Sequence, residues 1–174
     1  MTIINILQYP NPLLRRKGIK VTDFGPATQK IIDDMFETHY AATNCAALAA
    51  TQLNINNAPH ITVIDFSENK DEPLCIVNGE IVHSEGEIID TEGCMSVGHG
   101  SDIFDKVKRA TKIKVKAQDR HGNPIEFEAD DFMAKCIQHE LQHLEGKLYI
   151  DLLPGYKKDR IIKKIKKANR KNND

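Results

Sequence analysis

The chain has 174 residues, of which 40% are hydrophobic and 28% charged, with a formal net charge of −1. A chain of that size folds as one domain, residues 1–174, and buries a core without staples. No apolar run approaches the ~20 residues that a membrane span requires, which excludes a spanning helix. The small net charge conceals an asymmetry. Residues 155–174 carry nine Lys/Arg and two Asp, a charge of +7, and the remainder carries −8. The opening MTIINILQYP has no basic segment before its short apolar run, so it does not read as a signal peptide, and a cytoplasmic location is expected. Cys45, Cys75, Cys94 and Cys136 are widely spaced and are expected to be reduced thiols.

Pro10 and Pro12 around Asn11 predict an irregular arm leading to Gly18. From Pro26 to Ala42, Ile31, Ile32, Met35, Phe36 and Tyr40 recur at helical spacing, with Asp33, Asp34, Glu37 and His39 mostly on the other side. The small-residue run Cys45–Gln52 reads as a continued helix tucked against a neighbour, because alanine favours helix. His60–Phe66 is a buried strand. Leu74–Val77 and Glu80–His83 suggest two more, with Asn78-Gly79 as the turn between them. Lys112–Gln118 and Ile125–Ala129 form an antiparallel hairpin around Asp119–Pro124. Asp130 or Asp131 caps the next helix, whose apolar face is Phe132, Met133, Cys136, Ile137, Leu141 and Leu144, with Gly146 at its C-terminal cap. Leu148–Ile150 is a short extended piece. Pro154 and Gly155 precede a last, basic helix of about 156–170. Without a βαβ rhythm the class is α+β: antiparallel or mixed sheets around a central helix, with a C-terminal helix.

That central helix carries His139-Glu140-Leu141-Gln142-His143. Two histidines four apart stand on one helix face and can share a metal, and the glutamate between them can handle the proton of a bound water. A third ligand is required. Cys94 is the strongest candidate, because it sits in the polar, glycine-containing segment Thr91–Ser96, whereas Cys136 is flanked by core residues and Cys75 lies in an apolar strand. Cys45 stays open as an alternative. His60, His83, His99 and His121 are not set in such a turn. A Cys-His-His set leaves one position free, which suits catalysis, and a thiolate ligand admits iron, nickel or cobalt as well as zinc. Glu140 is then a general base for attack of water on a carbonyl carbon, and Gln52 an amide donor for the resulting oxyanion.

The chain resembles bacterial peptide deformylases. The family's three ordered motifs, GxGLAAxQ, EGCLS and QHExDHLxG, match Cys45–Gln52, Glu92–Ser96 and Gln138–Gly146. The resemblance extends to Tyr9–Pro12, to Ile64-Asp65 and to Lys147–Asp151. It implies a hydrolase that removes the formyl group from the formyl-methionine of nascent peptides. Cys94, His139 and His143 would hold one divalent metal ion, Fe2+ in the cell, with Zn2+, Ni2+ or Co2+ as alternatives. Glu140 would be the base, and Gln52 with the backbone N–H of Met95 the oxyanion donors. Ile137 and Cys136 would line the methionine pocket. The C-terminal helix would contact the ribosome, and the protein would be a monomer with no membrane partner.

The chain departs from the pattern at Cys45 and Ala47, where the motif has glycine, and at Gln142, where it has an acid that could support a ligand. It departs again over residues 97–105, which are a few residues longer and lack an arginine, although Arg109 before Ala110 matches a later one. These departures open two alternatives: a relative with altered N-acyl substrate or lost activity, and a ribosome- or RNA-binding protein without catalysis.

Overall fold

The computed structural model describes residues 2–100 and 103–171. Two sheets pack with three helices, and every strand pair within them is antiparallel. The larger sheet has the order β1-β2-β3-β6-β7, where β1 is Ala47–Ala49, β2 Ile61–Ile64, β3 Leu74–Glu85, β6 Lys112–Gln118 and β7 Pro124–Asp130. The smaller pairs β4, Ile88–Glu92, with β5, Asp105–Arg109. The helices are α1, Pro26–Ala41, α2, Asp131–Leu144, and α3, Gly155–Lys171. The α+β expectation is met, as are α1, the β6–β7 hairpin and the last helix.

The helix α2 runs beneath the larger sheet. Its Ala134, Ile137, Leu141 and Leu144 are buried with Ile64, Ile76, Ile113 and Val115. Such burial outweighs the marginal stability of an isolated helix of this length. Its far end is closed by Gly146 at φ 74°. A side chain there would also collide with the Arg15 carbonyl, so both dihedral and space call for glycine. The N-terminal arm passes this point, and Gly18 N donates to Leu144 O at 2.8 Å. At the other end Asp130 holds the N-cap position, but its side chain makes no capping bond.

Several local expectations are corrected. Cys45–Gln52 is not helical: it contains strand β1 and a 3-10 turn, Ala50–Gln52. The larger sheet overrides alanine's propensity. Ala47, Leu48 and Ala49 pair with Ile64, Val63 and Thr62, and the Thr62 hydroxyl donates to Leu48 O at 3.0 Å. All three residues are buried.

Asn78-Gly79 is not a turn. Strand β3 runs through it with a register shift between Val77 and Glu80. Asn78 has φ 52°, and its amide donates to Val21 O at 2.9 Å and to Gln118 Oε1 at 2.7 Å, so turn chemistry is spent on a bulge. Leu148–Ile150 is not extended throughout, because Tyr149–Leu152 forms a 3-10 turn. The polar side of α1 is partly buried. Asp34, Thr38 and His39 are buried, and the first two accept from Thr2 N and Ile4 N. Among the described residues no helix is long and apolar enough to cross a membrane.

Candidate metal centre

Helical spacing stacks His139 and His143, whose Nε2 atoms are 3.1 Å apart. Cys94, between β4 and β5, brings its Sγ to 3.2 Å from His143 Nε2. All three ligand atoms lie within 4.8 Å of one another. Tetrahedral coordination at the usual Zn–N and Zn–S lengths separates ligand atoms by about 3.3–3.5 Å, so the spacing suits one cation. Cys45 is not in this cluster. Its Sγ lies 3.3 Å from His39 Nδ1 instead.

His139 is held from behind, whereas His143 Nδ1 has no partner among the described residues. His139 Nδ1 lies 2.9 Å from Glu92 Oε2, which fixes the ring so that Nε2 faces the cluster. Arg109 grips the same carboxylate with Nε and Nη2, at 2.7 and 2.9 Å. Both side chains are buried. Thr51 Oγ1 donates to the main-chain carbonyl of His143 at 2.8 Å. The Gln138 side chain exchanges two 3.0 Å bonds with the Ala110 backbone and pins α2 just before the first histidine. Among the described residues Gln142 supports no ligand, and its buried Oε1 has no partner. The carboxylate behind a ligand is Glu92.

The electrostatics favour a cation. Burial works against a charged His139, but Cys94 and Glu92 beside it prevail and push its pKa up to about 10. Burial, and then the His139 charge, hold His143 well below the ordinary histidine range. Burial also disfavours the Glu92 carboxylate, yet Arg109 and His139 hold it at about 2. Burial pushes Glu140 up to about 7. Surroundings that retain a proton on His139 would equally retain a metal ion, and a cation beside Glu140 would favour its carboxylate. Glu140 Oε2 is buried with no partner among the described residues.

A cavity of about 200 Å³ opens onto the cluster. One face of α2, Phe132, Lys135, Cys136, His139 and Glu140, lines it, together with Ala46, Ala47, Gln52 and Gly93–Met95. Gln52 Oε1 accepts from Ala49 N at 2.8 Å, which turns Nε2 toward Cys94 Sγ at 3.7 Å and Ser96 Oγ at 3.2 Å. Met95 lines the cavity, with its carbonyl bonded to Gln8 Nε2 at 2.7 Å. The expected methionine-pocket residues separate. Cys136 is at the cavity, but Ile137 points into the core and is wholly buried.

Residues 3–159 match the family model for polypeptide deformylase. The chain belongs to the polypeptide deformylase family. It is 61% identical over 168 residues to peptide deformylase 1 of Coxiella burnetii, which covers 97% of this chain and 98% of that protein. The crystal structure of a peptide deformylase from Legionella pneumophila superimposes with a TM-score of 0.90 at 38% identity, covering 98% of both chains. The Ehrlichia chaffeensis peptide deformylase, solved in complex with actinonin, gives 0.88 at 32% identity over 98% of this chain and 99% of that one. The deformylase motifs therefore meet in one cavity here despite the substitutions at Cys45, Ala47 and Gln142. Within residues 97–105, Phe104 reaches that cavity, while Ser101 and Asp102 lie outside the described residues.

Proposed function

We propose that this chain, acting as one domain in the cytoplasm, removes the N-formyl group from formyl-methionyl peptides by metal-dependent hydrolysis. The observation that carries this is the clustering of Cys94, His139 and His143 beside one cavity that Cys94, His139 and Glu140 line. Cys94 Sγ and the Nε2 atoms of His139 and His143 would hold a divalent cation, which would supply Lewis acidity and lower the pKa of a water. Glu140 accepts the proton of the attacking water and delivers it to the departing amine nitrogen. The formyl C–N bond breaks, leaving formate and a free amino terminus. Gln52 Nε2 and the Met95 N–H donate to the oxygen that gains charge. Glu92 and Arg109 keep His139 in its ligating tautomer.

The deciding experiment offers metal-loaded protein a formyl-, an acetyl- and a free-amine Met peptide. Formate should appear only from the first, one per amine released. No formate at full metal occupancy would sink the reading.

The exposed Lys163, Lys164, Lys166 and Lys167 of α3 support a second contact, with ribosomal RNA. Ile161 and Ile165 of the same helix belong to the core, so its removal would damage the fold. Replacing the four lysines by glutamine is the cleaner test. It should weaken ribosome co-sedimentation at low salt and leave hydrolysis of a short peptide intact, and unchanged co-sedimentation would reject the contact.

A further inference from the structure

One thiol outside the metal cluster has a base beside it. His39, near the C-terminal end of α1, is buried, and its Nδ1 lies 3.3 Å from Cys45 Sγ. Its Nε2 lies 2.8 Å from the main-chain carbonyl of Asp65. A carbonyl can only accept, so Nε2 carries the ring proton and Nδ1 presents a lone pair to the thiol. Asp65 is fixed in turn, because its carboxylate accepts from Tyr40 Oη at 2.7 Å and from Ser67 N at 3.0 Å. A nucleophile within reach of a base, with the base oriented by a third group, is the arrangement that activates sulfur. Burial pushes the Cys45 thiol up to about 12 and holds His39 below the ordinary histidine range. The pair therefore rests as thiol and neutral imidazole, and the ring is free to take the proton as the sulfur attacks.

The pair is also within reach of a reagent. Cys94 and Cys136 are buried, whereas Cys45 and Cys75 are half-buried. Cys75 lies in β3 opposite Val63 and has no histidine partner among the described residues. Cys45 and His39 line a surface groove of about 570 Å³ together with Tyr40 and Lys70. Asn44, Ala46 and Phe132 line both this groove and the cavity at the metal cluster. A group attached to Cys45 Sγ thus stands where the two spaces meet.

We propose that Cys45 is a thiolation site, which exchanges with low-molecular-weight disulfides with His39 as its base and thereby obstructs the adjoining cavity. Cys45 Sγ attacks one sulfur of the reagent, and the new S–S bond forms as the reagent's own S–S bond breaks. The thiol proton passes to His39 Nδ1 and from there to the departing thiolate. One free thiol is released for each mixed disulfide, so Cys45 is oxidised and the reagent reduced. Excess thiol reverses the exchange. The turnover readout of this proposal rests on the deformylase reading, and the labelling readout does not.

The test treats metal-loaded protein with bis(2-hydroxyethyl) disulfide and follows each cysteine-containing peptide by mass spectrometry. Cys45 should be labelled about 100-fold faster than Cys75. His39→Gln, which keeps a donor for the Asp65 carbonyl, should bring the two rates to within about tenfold. Hydrolysis of a formyl-Met peptide should fall in proportion to Cys45 labelling and return on addition of a phosphine reductant. Cys45→Ala should keep its hydrolysis under the same treatment. Equal labelling of Cys45 and Cys75 in the unsubstituted protein overturns the site, and this comparison needs no variant to fold. A Cys45 rate unmoved in His39→Gln removes the base. Hydrolysis that survives complete labelling of Cys45, or is lost equally in Cys45→Ala, overturns the obstruction. Absence of hydrolysis before treatment overturns the deformylase reading and leaves labelling to decide the site.

Discussion

Glu92 lies 2.9 Å from His139 Nδ1 and is itself clasped by Arg109, so a metal ligand is oriented by a buried ion pair that spans β4 and β5. Removing one partner of such a pair leaves the other charge buried and uncompensated. Glu92→Gln should therefore lower stability by about 3–5 kcal/mol. It should also weaken metal affinity about 10- to 100-fold, because the histidine loses the anion that raises its basicity. Denaturant melts and a chelator competition read the two effects separately. Wild-type metal affinity in this variant would show that His139 needs no carboxylate behind it.

Gln52 supplies a cavity donor only because its Oε1 is committed to Ala49 N. Gln52→Ala removes the donor and frees that amide, and should lower kcat about 10²- to 10³-fold with a smaller change in KM. Gln52→Glu offers an acceptor where charge develops and should be no better. Steady-state kinetics with a formyl-Met peptide at full metal occupancy decides it, and an unchanged kcat would remove Gln52 from the mechanism.

The ligands and α2 were legible because helical periodicity and the four-residue histidine spacing are local signals. The β6–β7 hairpin was legible because Lys112, Lys114 and Lys116 alternate with Ile113, Val115 and Ala117. Strand β1 was hidden, since an alanine-rich run has helical propensity and only its pairing with β2 makes it a strand. Strand β5 carries an alternating signal of its own. Lys106 and Lys108 are exposed while Asp105, Val107 and Arg109 are buried, a period of two that already places an arginine and an aspartate inward. The partner of Arg109 lies 17 residues back in the chain and is not its cross-strand neighbour, which is Ile88, so only the packed structure supplies the pairing.

Glu140 does not serve as a metal ligand in this geometry, because the clustered donors are Cys94, His139 and His143. Glu140→Ala should accordingly keep close to wild-type metal content while turnover falls about 10²- to 10⁴-fold. Metal analysis beside single-turnover formate release checks both halves. Full turnover in the variant would assign the proton transfers elsewhere, and lost metal would mean that the carboxylate helps hold the cation.

Two aspartates clamp the C-terminal helix. Asp105 accepts from Lys157 Nζ at 2.7 Å and Arg160 Nη2 at 2.9 Å, and Asp151 accepts from Lys158 Nζ at 2.8 Å while also binding Arg15. Burial opposes both carboxylates, but Lys157 at Asp105 and Arg15 at Asp151 prevail and hold them below the ordinary value of 3.8. A folded-state pKa below the unfolded one contributes stability that is complete above the unfolded value and is lost as pH falls through the folded one. Metal-free protein should thus lose stability progressively as pH falls below about 4. Asp105→Asn combined with Asp151→Asn should be less stable at neutral pH and should show a shallower decline in acid. Urea midpoints measured from pH 6 to 2 on chelator-treated protein test this, and parallel pH profiles for the two proteins would show that these pairs do not carry the acid sensitivity.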